Sequence, residues 1–114
     1  MVEKRKLSRK IANDRLVIKD QISGSKVGTV VNISAAGFML LSEKAIKTGN
    51  IYQFDLLMPQ LVEQHSQISF GAEALWCSEA AQAGSYWTGF QIIDISNRDE
   101  AIISKLIEGW SIQE

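Results

Sequence analysis

Residues 67–77 read QISFGAEALWC, with Ile68, Phe70, Ala72, Ala74 and Trp76 on every second position. A repeat of two is the period of a β-strand, whose successive side chains point to opposite faces. One face of this strand is apolar and belongs against a core, so Trp76 is expected to be buried there. Shorter runs of the same kind occur along most of the chain. Strands are predicted at 15–22, 26–34, 38–41, 51–58, 67–77 and 86–95. Ser23-Gly24-Ser25, Ala35-Ala36-Gly37, Lys47-Thr48-Gly49-Asn50 and Ala83-Gly84-Ser85 are the turn signals between them. Pro59, the only proline, is expected to end the fourth strand. Many short strands separated by turns point to an antiparallel barrel or sandwich.

The C-terminal end has a different period. Ser96 suits a helix N-cap, with Asp99 three places on. Ile102, Ile103, Leu106, Ile107 and Trp110 then recur at helical spacing. A helix over 96–112 is predicted, laying this stripe on an open end or side of the sheet. The same stripe accounts for Trp110. In the sixth strand Tyr86 and Trp87 are neighbours, so one of the two should be exposed.

With 114 residues, the chain fits one domain spanning 1–114, large enough for its own core. Hydrophobic residues make up 46 % and charged residues 22 %, which excludes a disordered chain and fits a globular one. The 12 basic and 13 acidic side chains leave a net charge of −1, so no bulk electrostatic case exists for long nucleic acid or a membrane surface. The basic residues are unevenly placed. Lys4, Arg5, Lys6, Arg9 and Lys10 crowd a start with little apolar content. Residues 1–13 are therefore expected to form a flexible basic arm ahead of a barrel at 14–95. A basic arm on a near-neutral body suits a small anionic ligand.

The residues for catalysis or metal binding are lacking. His65, the only histidine, lies in the polar segment LVEQHSQ and is expected in a solvent-facing loop. Cys77 is the only cysteine, which rules out an intrachain disulfide, fits a reducing cytoplasm and is read as a packing residue. One His and one Cys make no zinc site, and neither a Walker loop nor a dinucleotide fingerprint occurs. No signal peptide or membrane-spanning stretch is evident. No enzyme, cofactor or metal is expected.

Two short motifs remain. Arg5 and Arg9 bracket RKLSR, and each guanidinium can hold a phosphate or the O6/N7 edge of guanine with a fork of two hydrogen bonds. Residues 30–38, VVNISAAGF, place Asn32 and Ser34 on one face of a strand just before Gly37. Ordinary turn chemistry explains such residues. So does a small polar platform. If the arm folds over the strand, the two sets form one cationic, donor-rich site.

RKLSR resembles the RxxxR motif of PilZ domains, and NISAAG, residues 32–37, resembles their second motif, [D/N]xSxxG. Glu3-Lys4 resembles the usual lead-in, and YWTGFQIIDIS, residues 86–96, is similar to the last barrel strand of that family. The resemblance covers nearly the whole chain. It implies a mainly β fold, a six-stranded antiparallel β-barrel with a C-terminal α-helix. It also implies a bacterial receptor for cyclic di-GMP, held by Arg5, Arg9, Asn32, Ser34 and Gly37. Gly37 would let the backbone come close to the ligand. Lys4, Lys6 and Trp87 are secondary candidates. Lys4, just before the first motif, bears on whether one ligand or a stacked pair binds. The expected mechanism is ligand-driven ordering of the arm, changing the surface offered to a protein partner, in a monomer or weak homodimer. The alternative is a PilZ-type interaction module that binds no nucleotide.

Overall fold

The computed structural model describes residues 9–12 and 14–110. Its strands are β1 (Lys10–Ile11), β2 (Val17–Asp20), β3 (Lys26–Ile33), β4 (Gly37–Ser42), β5 (Ile51–Val62), β6 (His65–Glu79) and β7 (Tyr86–Ile95), followed by the helix α1 (Asn97–Leu106). They pair in the order β1-β3-β2-β5-β6-β7-β4, and β3 also pairs with β4. That last pairing closes β2 to β7 into a six-stranded antiparallel barrel. β1 is an extra strand on β3, with Lys10 opposite Ile33 and Ile11 opposite Asn32. Two residues assigned by sequence to the arm are thus part of the sheet.

The barrel is filled by the inward faces of its strands. Phe38, Phe54, Phe70 and Phe90 meet at its centre, with Phe38 stacked on Phe90 at 4.9 Å and edge-on to Phe70 at 5.6 Å. Such ring pairs add about 0.5–1.5 kcal/mol each beyond their burial. Helix α1 packs on β5 and β6. Ser96 caps it by accepting the Asp99 N–H at 3.0 Å, and the buried Asp99 carboxylate accepts the Ser69 N–H of β6 at 3.1 Å. The side chains of Ile102, Ile103, Leu106, Ile107 and Trp110 are buried. The helix is shorter than expected. It stops at Leu106, and Gly109 takes a φ of +87° just beyond, a left-handed conformation that ends helices.

Several sequence expectations are corrected. β5 runs through Pro59 to Val62. Its register with β6 is regular to Leu57, then irregular until Val62 meets His65. Pro59 sits inside that irregular stretch, where a missing N–H breaks no regular ladder. The turn that follows uses Glu63 and Gln64 at φ 49° and 68°. His65 is the first residue of β6 and half-buried, and its Nδ1 donates to the Glu63 carbonyl at 2.8 Å. Tyr86 and Trp87 are both half-buried, so neither is the exposed aromatic that alternation required.

Trp76 is 41 % exposed. Ala74 pairs with Phe90 and Trp76 with Gly89, so Leu75 is an extra residue between them. Cross-strand partners share a face. Phe90 points inward, so Ala74 does too; Gly89 lies between the buried Thr88 and Phe90 and faces outward, and so does Trp76. This bulge reverses the alternation on which the burial of Trp76 rested.

Candidate functional site

A bulge of the same kind positions Asn32. Val30 pairs with Leu40, and Asn32 with Met39, leaving Val31 as the extra residue. Leu40 is fully buried and faces inward, so Met39 and Asn32 face outward, while Ile33 follows Phe38 into the core. Without the extra residue, strict alternation would place Asn32 on the face of Val30, inside an apolar barrel where an amide is costly.

Although it faces outward, Asn32 is only 2 % exposed. β1 runs beside it, and Arg9 Nη1 donates to its Oδ1 at 3.4 Å. The guanidinium is therefore laid on the outer wall, one long hydrogen bond from the amide, with further donors to spare.

Ser34 is 4 % exposed and closes the turn after β3. Its N–H donates to the Gly37 carbonyl at 2.8 Å, and its hydroxyl accepts the Ala36 N–H at 3.1 Å. The hydroxyl also reaches the Gly37 carbonyl at 3.4 Å. This is the turn chemistry expected of a serine here.

The structure assigns Gly37 a reason the sequence did not. Its φ is not in the left-handed region, and a Cβ there would overlap the Phe90 carbonyl of the neighbouring strand. Close approach of β4 to β7 requires the glycine, whatever lies above it.

Arg9, Ser34, Gly37, Leu75 and Gln91 line one depression of about 260 Å³ on the outside of the barrel. Three of the expected ligand-binding positions thus share a hollow, and Asn32 joins them through Arg9. Arg5, Lys4 and Lys6 lie outside the described residues. Trp87 pairs with Leu41 and Ser78 and is not among the lining residues. Leu75 and Gln91 were not foreseen. Gln91 is directly opposite Gly37 on β7, which sequence alone cannot show.

A larger hollow of about 740 Å³ opens at the other end of the barrel, with Lys26, Leu41, Lys44, Ile46 and Tyr52 among its lining. None of the motif residues lines it. Among the described residues, no three His, Cys, Asp or Glu side chains are placed to hold a metal. The Cys77 sulfur receives hydrogen bonds from Ile46 N–H and the Thr88 hydroxyl, as befits a packing residue. Among the described residues, no helix is long and apolar enough to cross a membrane.

A model of the PilZ domain matches residues 3–109. No curated protein matches the chain. Among solved structures, the PilZ domain of YcgR from Escherichia coli with c-di-GMP is 17 % identical, with a TM-score of 0.68 over 90 % of this chain and 87 % of that one. The Bacillus subtilis inhibitor of motility MotI/DgrA is also 17 % identical with a TM-score of 0.68, over 88 % of this chain. Borreliella burgdorferi PlzA in complex with c-di-GMP is 13 % identical, with a TM-score of 0.53 over 99 % of this chain. This chain spans about half of each of the last two, 48 % and 51 %. At these identities the likeness is one of fold.

Proposed function

The chain belongs to the PilZ domain family, and from that premise we propose that it is a non-catalytic bacterial receptor for cyclic di-GMP. The observation that carries this reading is the Arg9 guanidinium, seated on the buried Asn32 amide at the rim of a hollow shared with Ser34 and Gly37. A guanidinium so held can turn its remaining donors to a phosphate or a guanine edge with little loss of freedom. The solved E. coli YcgR domain and B. burgdorferi PlzA, both holding c-di-GMP, support the same ligand class.

In this reading, the arm ahead of β1 carries Arg5, which completes the grip when the dianionic ligand neutralises the arm's charge. Ordering of the arm changes the surface offered to a protein partner, in the cytoplasm. A second reading, an interaction module that binds no nucleotide, draws on the fact that local structure alone accounts for Ser34 and Gly37.

Calorimetric titration with cyclic di-GMP, with GTP and GMP as controls, separates the two. The receptor reading expects binding of cyclic di-GMP alone and about a hundredfold or greater loss in Arg5→Ala and in Arg9→Ala, with the thermal transition kept. Wild-type affinity in either variant, or no heat with the intact chain, removes it in favour of the interaction module.

A further inference from the structure

The larger hollow, about 740 Å³ at the far end of the barrel, has no part in the reading above. Its volume falls in the range of small-molecule sites, which form readily in the mouths of barrels. It shares no lining residue with the hollow of Arg9, Ser34 and Gly37. β4 begins with Gly37 at the one and ends with Leu41 and Ser42 at the other, so a strand's length separates the two.

The floor of this hollow is apolar. Leu41, Ile46 and Tyr52 line it, each half-buried. The Tyr52 ring stacks on Phe54 at 5.6 Å and stands edge-on to Phe90 at 6.2 Å, which makes it an outward continuation of the phenylalanine core. The rim is cationic. Lys26, Lys44 and Lys47 are exposed there, against Glu43 as the one acid among the lining residues.

The backbone that carries two of these lysines is pinned. The buried Ser42 donates its hydroxyl proton to the Lys44 carbonyl at 2.8 Å, and the Tyr52 hydroxyl donates to the Lys47 carbonyl at 2.8 Å. Between them the Ile46 N–H donates to the Cys77 sulfur at 3.5 Å. Two ammonium groups therefore start from fixed points above a fixed apolar floor, which lowers the ordering cost of binding.

An inorganic anion would gain nothing from that floor. A neutral apolar molecule would gain nothing from the three charges. An anion with an apolar body uses both, burying its body while its charge stays between cations. We propose that this hollow is a ligand site separate from the motif hollow, and that it takes a small organic anion, a carboxylate or sulfonate on an aromatic ring or short chain. Lys26, Lys44 and Lys47 hold the charge, and Leu41, Ile46 and Tyr52 receive the body. The site does not depend on the cyclic di-GMP reading.

The test is a fluorescence titration of the full chain with two probes, anilinonaphthalene sulfonate and phenylnaphthylamine, which has the same rings without the sulfonate. A thermal melt of each variant accompanies it. One sulfonate probe per chain is expected to bind, about tenfold or more tighter than the neutral probe. Lys26→Glu and Lys44→Glu should each weaken the sulfonate about tenfold, while the melt, the neutral probe and the response to cyclic di-GMP stay as in the wild type. Decanoate should displace the sulfonate probe, and inorganic phosphate at the same concentration should not. Equal affinity for the two probes, or wild-type affinity in both lysine variants, overturns the site. So does displacement by inorganic phosphate as strong as by decanoate. Sulfonate binding lost on Arg9→Ala but kept on Lys44→Glu places the probe in the motif hollow and also overturns it. None of these failures touches the receptor reading, which stands or falls on the cyclic di-GMP titration.

Discussion

Val31 on β3 and Leu75 on β6 are each one residue too many for the strand they face. Each extra residue shifts the alternation and turns the next side chain outward, Asn32 in one case and Trp76 in the other. The two outcomes differ in chemistry. At the first bulge a polar group leaves the core and is covered again by Arg9 and β1, ending almost fully buried. At the second an apolar group leaves the core and stays half in water. A device that only relieved packing would not leave an indole exposed. The difference teaches that a bulge sets direction alone, and that what lies above it decides whether the side chain is structural.

The glycines beside the two bulges provide the largest test of this comparison. A methyl at Gly37 would meet a backbone carbonyl, which cannot step aside, whereas a methyl at Gly89 would meet the Trp76 ring, which can. Gly37→Ala is expected to cost about 2–3 kcal/mol in urea denaturation, and Gly89→Ala about 1 kcal/mol, with the indole displaced. Equal costs would mean that Trp76 is as fixed as a strand backbone. Next in size is Ser34→Ala, which leaves the Ala36 N–H without its acceptor and is expected to cost about 1 kcal/mol. Loss of the Ser96 cap in Ser96→Ala should cost a similar amount, at the helix end of the barrel and away from both bulges. The smallest effect is expected from Trp76→Ala, within about 0.5 kcal/mol, because an exposed ring contributes little to the core. A loss above about 2 kcal/mol there would make Trp76 a packing residue and erase the contrast.

The barrel was legible because its strands announce themselves in pairs of alternating residues, and β7 begins and ends where its pattern does. The helix cap was legible for the same local reason, a serine with Asp99 three places on. Trp76 was not, since a bulge is defined by the opposite strand and leaves no mark in its own. Pro59 misled because a proline breaks only a ladder that exists, and the ladder is irregular there. At the site, the bulge at Val31 that turns Asn32 outward was not legible in the sequence, for the same reason as the one beside Trp76. Leu75 and Gln91 could not be found, because only the folded register sets them beside Gly37.

Closure of the ring limits how this protein can address another. Among the described residues, β2 to β7 each have a strand on both sides, so none of them is an edge strand of the sheet. Among the described residues, only β1, two residues long, borders the ring from outside. What the described ring offers its surroundings is the set of side chains on the barrel wall.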